Sequence, residues 1–302
     1  MSETQQLSTP TPPPPPVPEG RRRAVLVVLS LASVVALLAI GISVVRGGTP
    51  PENTAAAPKP AATGPGNPQH PQGRATLDPS TRNDTEAAVR FNWPMIANDE
   101  FDGTALSTAH WQPYSGKTTG GTGQHDPKNL SVADGIFSIT SHGTRSGGMS
   151  WAPGQMYGRW EVRAKTQVGT GYGAVMLLWP DAEDWPQGGE VDFMEIPKPE
   201  RKESNFVLHF GDNNDQNGAS VPGDFTQWHN YAVEWTPDHI AGFIDGQEIF
   251  RTTDKAQLPP RPMHLAIQQD VGPYGDDWIP ALDATTPPQV QLQIDWVRIY
   301  GV

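Results

Sequence analysis

The sequence predicts an all-β protein, and three observations carry that expectation. Short runs of alternating apolar and polar residues recur at Gly135–Thr140, Tyr231–Trp235 and Ile240–Ile244, separated by turn residues. Asp245-Gly246, directly after the last of these, is the two-residue signal of a hairpin. No stretch of the β-patterned part carries three turns of amphipathic helix. That part runs from about residue 86 to Val302, roughly 215 residues, a size that suits one large β-sandwich.

The chain before it is organised differently. Residues 1–23 are polar and Pro-rich, with Pro12 to Pro16 consecutive, and end on Arg21-Arg22-Arg23; they read as an extended tail. Residues 24–45, Ala24 to Val45, carry no charge and are rich in Leu, Val, Ala and Ile. As a helix this run is about 33 Å long at ~1.5 Å per residue, enough to cross a bilayer. The arginines before it predict a cytoplasmic N-terminus. A cleaved signal peptide is the alternative, but its apolar region is normally about 7–15 residues, so the length favours an uncleaved transmembrane anchor. Residues 46–85 are dominated by Pro, Gly, Ala, Asn and Thr without apolar periodicity and read as a flexible, disordered linker. The expected arrangement is a single-pass protein of the cell membrane with residues 86–302 held outside.

Composition bounds the partners. The 302 residues include no cysteine, which excludes disulfides, thiolate metal sites and a Cys nucleophile. After Arg82 the chain holds 14 Lys and Arg against 29 Asp and Glu, a net charge of −15. No nucleic acid partner is expected, because phosphate binding needs a basic face; a neutral polysaccharide is compatible. All ten tryptophans fall between Trp93 and Trp296. Most are expected in the core, with a minority free to stack on sugar rings. No phosphate loop or nucleotide fingerprint is present.

The chemistry concentrates in Gly188-Gly189-Glu190-Val191-Asp192-Phe193-Met194-Glu195-Ile196-Pro197. On a strand, Glu190 and Asp192 share one face while Val191 and Phe193 face the core. In regular alternation Glu195 would join the core, where an unpaired carboxylate costs several kcal/mol. One extra residue, a β-bulge at Phe193–Met194, returns Glu195 to the face of Glu190. The two glutamates are then about 13 Å apart at Cα, at ~3.3 Å per residue. With both side chains leaning inward the carboxyls approach to roughly 5 Å, the spacing of a retaining glycosidase. Three neighbouring carboxylates cannot all ionise cheaply, so at least one pKa should rise. An exposed strand with acidic residues facing water is the other reading of the pattern alone.

The stretch resembles the bulged Glu-x-Asp-x-x-Glu signature of glycoside hydrolase family 16. The likeness extends to Tyr157-Gly158-Arg159-Trp160-Glu161-Val162-Arg163, Trp185-Pro186, Leu208-His209-Phe210-Gly211, Trp228-His229-Asn230-Tyr231-Ala232-Val233-Glu234-Trp235 and Ile294-Asp295-Trp296-Val297-Arg298-Ile299-Tyr300. It spans about Phe91 to Val302 in the expected order. The resemblance implies a jelly-roll, concanavalin A-like β-sandwich with a concave substrate cleft. It implies a retaining endo-β-glycanase, most like the β-1,3-glucanases, that works as a monomer on extracellular polysaccharide and needs no cofactor for catalysis. Glu190 is then the nucleophile, Glu195 the acid/base, and Asp192 the residue that tunes both.

Weaker signals surround these three. Trp179 and Trp185 flank the turn into the acidic strand, where they form either a cleft wall or core. The resemblance places His209 in the cleft near the acid/base, and Gln268 where the family usually has Asn on a cleft-facing strand. In Val175-Met176-Leu177-Leu178-Trp179-Pro180, Met176 stands where the family usually has Trp, and Trp179 is an insertion. Some family members bind a structural calcium through an Asp that Asp295 matches. Two further readings compete with hydrolysis: a transglycosylase acting on the cell envelope with the same triad, and a non-catalytic, lectin-like β-glucan-binding module. The topology has a direct check: the full-length chain should sediment with membranes and be shaved by protease added outside the cell, whereas a mature form beginning near Ala57 in the medium contradicts the anchor.

Overall fold

The computed structural model describes residues 85–118, 122–275 and 277–302. The expected tail and anchor, and all of the expected linker except Thr85, lie outside the described residues. Among the described residues, no helix is long and apolar enough to cross a membrane.

The described residues fold as a sandwich of two sheets. One runs in the order β15 (Gln247–Thr252), β14 (Ile240–Ile244), β13 (His229–Trp235), β8 (Gly158–Thr166), β17 (Val290–Tyr300), β6 (Ile136–Ser141), β5 (Leu130–Ala133), with β1 (Met95–Asp99) also on β17. The other runs β12 (Asp215–Pro222), β11 (Glu203–Phe210), β10 (Glu190–Ile196), β9 (Tyr172–Pro180), β16 (Met263–Val271), β7 (Arg145–Trp151), β4 (Gln124–His125), β3 (Gly116–Lys117), with β2 (Trp111–Pro113) also on β7. Described pairings are antiparallel except β4 with β7. The expected hairpin turn is present: Asp245 and Gly246 both have positive φ, 50° and 67°, and join β14 to β15.

Side-chain alternation builds the core between the sheets. Ala174, Met176 and Leu178 of β9 face it, as do Met263, Leu265 and Ile267 of β16. Trp160, Val162 and Ala164 of β8, and Tyr231, Val233 and Trp235 of β13, close it from the opposite sheet. Burying a side chain of this kind contributes about 1.5–3 kcal/mol. The residues between them on β9, Val175, Leu177 and Trp179, form a separate apolar group with Ala266 on the outer face of the second sheet. That face carries the acidic residues.

A short helix, α1 (Ala87–Phe91), docks on the outside of the first sheet. Glu161 of β8 is fully buried, and its two carboxylate oxygens accept the backbone N–H groups of Ala87 at 2.6 Å and Ala88 at 3.0 Å. Arg298 Nη1 bonds Glu86 at 2.9 Å, and Asn230 Nδ2 bonds Thr85 Oγ1 at 2.9 Å. Trp93, Phe243 and Tyr300 pack beneath as their own apolar cluster. Glu161→Ala leaves two N–H groups unpaired, so it should cost about 2–4 kcal/mol. That is a fall in Tm on the order of 5–10 °C, with Glu161→Gln milder because it keeps one acceptor. Calorimetry on the variants checks this; an unchanged Tm in Glu161→Ala contradicts it.

Candidate active site

The acidic strand β10 contains the expected bulge. Asp192 pairs with Leu177 of β9 and Met194 with Met176, so two residues on β10 advance the register by one on β9. Against β11, Asp192 pairs with Val207 and Glu195 with Asn205, again one residue in excess. Val191, Phe193, Met194 and Ile196 all sit in the core. Phe193 and Met194 are consecutive and both point inward, which is what the bulge absorbs. Glu190, Asp192 and Glu195 therefore share the outer face, with exposures of 3%, 2% and 6%.

Register places the neighbours. Asp192, Leu177, Ala266 and Ser150 form one row across β10, β9, β16 and β7; Glu195, Val175, Gln268 and Gly148 form the next. His209 of β11 lies directly opposite Glu190. Its Nδ1 bonds Asn214 Oδ1 at 2.7 Å, and its Nε2 lies 3.4 Å from Asp192 Oδ2. Gln216 Nε2 lies farther from Nδ1, at 3.4 Å, and the two nearer acceptors suit a ring that carries hydrogens on both nitrogens. Trp185 Nε1 donates to Glu190 Oε2 at 2.9 Å. Trp179 Nε1 donates to Glu183 Oε2 at 2.8 Å, and its ring stacks on Trp185 at 6.4 Å and 11°. The two indoles form one wall on the Glu190 side. Met176 has turned into the core, so Trp179 supplies the aromatic surface that Met176 does not.

Electrostatics separate the carboxyls. Burial raises all three, and mutual repulsion raises Glu190 and Glu195 further. Glu190 is eased back toward its anion by His209 and the Trp185 N–H. Glu195 is raised well above the usual carboxylate range, first by burial and then by Asp192; His209 eases it, but no donor among the described residues bonds it. Burial works against a charged His209, but Glu190 and Asp192 outweigh it and hold its pKa up, to about 10.

Glu190, Asp192 and His209 offer atoms within 4.8 Å of one another. A ligating imidazole must be neutral, so a cation there would have to displace the proton that Glu190 and Asp192 favour on His209. Asp295, the expected calcium ligand, is the bulged residue of β17 and pairs with Arg163, whose guanidinium already supplies the compensating positive charge.

The sequence reading missed five residues of this face. Asn214 fixes His209 from a turn. Tyr114, His125 and Asp270 lie beyond Gln268, where Asp270 Oδ2 accepts from Gln268 Nε2 at 2.8 Å. Tyr274, on the loop after β16, is buried and feels the charge of Asp270 and of all three β10 carboxylates. Only Asp270 had a signal in the chain, since it continues the His264, Ala266, Gln268 alternation of β16.

Two glutamates set by a bulge on one buried face of a β-sandwich form the carboxyl pair of a glycoside hydrolase. The family model for Glycosyl hydrolases family 16 matches residues 119–298, more than half of the chain, and the protein belongs to that family. A beta-glucanase of Rhodothermus marinus is 26% identical over 250 residues, covering 69% of this chain and 85% of the relative. A beta-glucanase of Acetivibrio thermocellus is 23% identical over 224 residues, covering 71% of this chain and 65% of the relative. Among solved structures, the endo-1,3-beta-glucanase (laminarinase) catalytic domain of Thermotoga petrophila superposes with a TM-score of 0.62 at 22% identity, covering 69% of this chain and 98% of that one. A laminarinase from Flavobacterium sp. gives 0.60 at 25%, covering 68% and 100%.

The charge state of His209 is open to measurement. Its folded pKa lies above the free value, so protonation persists until the pH climbs through about 10. At about pH 8, where a free imidazole is neutral, nitrogen-15 shifts should show both ring nitrogens protonated. Asp192→Asn should lower that midpoint. A neutral ring in the unaltered protein at that pH contradicts the arrangement.

Proposed function

We propose that this chain is a retaining endo-β-1,3-glucanase, with Glu190 as nucleophile and Glu195 as general acid/base. The observation that carries the reading is the β10 bulge, which sets the two glutamates on one face in unequal environments. Trp185 and His209 favour the Glu190 anion, while Glu195 keeps its proton. Glu190 attacks the anomeric carbon as the glycosidic C–O bond breaks, and the Glu195 proton passes to the leaving oxygen. The resulting ester removes the negative charge of Glu190. Since that charge is one cause of the raised pKa of Glu195, Glu195 then becomes more acidic and exists as the base that the second step needs. It takes a proton from water, whose oxygen attacks the anomeric carbon and releases Glu190. Asp192, buried beside Glu190 and 3.4 Å from His209 Nε2, moderates both charges.

The substrate class follows from the lining and the relatives. A face carrying Glu190, Asp192, Glu195 and Asp270 repels polyanions, and the paired indoles of Trp179 and Trp185 suit the apolar face of a neutral sugar. Relatives named beta-glucanase and neighbours named laminarinase point to β-1,3-glucan. On the reading of residues 24–45, the enzyme works outside the cell while held at its membrane.

The test pairs substrates with variants. The full chain should cleave β-1,3-glucan from a polysaccharide panel with retention at the anomeric carbon, and mass analysis of products separates water from sugar acceptors. Glu190→Ala should lose several orders of magnitude on every substrate, with azide restoring an activated substrate to a product of inverted configuration. Glu195→Ala should spare substrates with good leaving groups, with azide giving a retained product. Inversion by the unaltered enzyme contradicts the roles.

A further inference from the structure

Beyond Glu195 the cleft face carries a buried polar group that the reaction steps leave unused. Asp270 lies two residues past Gln268 on β16, on the same face, and is 3% exposed. His125 of β4, 4% exposed, brings Nε2 to 3.3 Å from Asp270 Oδ1, in contact but without the alignment of a hydrogen bond. Tyr114 stacks on His125 with ring centroids 5.7 Å apart. Tyr114 fits there because position 148 is glycine: a Cβ at Gly148 would come within 2.6 Å of Tyr114 Cδ2. Gly148 is in turn the register partner of Gln268.

An ionised carboxylate only accepts hydrogen bonds. The 2.8 Å contact with Asp270 Oδ2 therefore requires the NH2 group of Gln268 to turn toward Asp270. That leaves Oε1 pointing elsewhere; it has no partner among the described residues and is not sealed from solvent. Gln268 stands two strands from Glu195, in register through Val175, about 10 Å at ~4.8 Å per strand.

We propose that Asp270, seated by His125 and Tyr114, is a positioning residue that fixes the amide of Gln268 so that a carbonyl oxygen faces the sugar held beside Glu195. The subsite then takes a ring hydroxyl as hydrogen-bond donor. It disfavours a substituent that offers only acceptors at this position, such as an O-sulfate or an O-methyl group. The sugar part of the inference rests on the glycanase reading; the amide orientation does not.

The experiment is a double-mutant cycle in the full-length chain on β-1,3-gluco-oligosaccharides, with a spectroscopic arm. Asp270→Ala should raise KM about 5–10-fold with kcat within about twofold. Asp270→Asn, which keeps shape and an acceptor, should do less. In a Gln268→Leu background, Asp270→Ala should change KM by less than about twofold, because the group it acts through is gone. Additive losses overturn the proposal, since Asp270 would then act independently of Gln268. The spectroscopic arm needs no turnover. The Gln268 side-chain amide should show one proton shifted downfield by its carboxylate partner, and the shift should shrink in Asp270→Asn and disappear in Asp270→Ala. Absence of that signature in the unaltered protein overturns the proposal even if glucan is cleaved. If the signature is present and glucan is not cleaved, the orientation holds and the glucanase reading fails.

Discussion

One extra residue in β10 governs the site. In a regular strand the fifth residue after Glu190 faces the core, and a carboxyl there would stand among apolar side chains without a partner. The bulge reverses the alternation midway, so that Phe193 and Met194 both point inward and Glu195 emerges beside Asp192. The core tolerates two consecutive inward side chains because one is Met, unbranched and able to fill an irregular space. A packing solution inside the sandwich is thus what arranges the chemistry outside it.

The carboxylates are then made unequal by neighbours supplied from other strands. Glu190 receives an indole N–H from the turn before β10 and faces a charged imidazole on β11. Glu195, four strand positions nearer the C-terminal end, has Val175 and Asn205 beside it and no bonded cation among the described residues. Such different support for two buried carboxyls is what the roles proposed for Glu190 and Glu195 call for. His209 is the counterweight that allows three acidic groups to occupy one sheet face, and Asn214 is what holds its ring.

Much of this was legible in the chain. The alternation of Ile240–Ile244, the Asp245-Gly246 turn and the conflict at Glu195 are short-range signals, and each is fixed by local geometry. The faces of β16 could be read because Leu265 and Ile267 alternate with His264, Ala266 and Gln268. What could not be read depends on strand order. His125 meets Asp270 only because β4 lies beside β7 and β7 beside β16, a pairing across some 145 residues of chain that no local pattern encodes. Asn214 belongs to a turn whose function exists only through His209. Asp295 was read from its neighbours in sequence, whereas its environment is set by Arg163 on an adjacent strand.

The docking of α1 has a mechanical side. Thr85 enters the domain on the first sheet, whereas the carboxylates lie on the second. A load applied at Thr85 meets Asn230, then the paired N–H groups on Glu161, then the ion pair of Glu86 with Arg298. Trp93, Phe243 and Tyr300 beneath them form a cluster separate from the main core. Tension would therefore peel this segment contact by contact, spending its work there before any strand of the main core is loaded. The segment behaves as a fuse: an enzyme pulled from its N-terminal side can yield at α1 while β9, β10 and β16 keep their register.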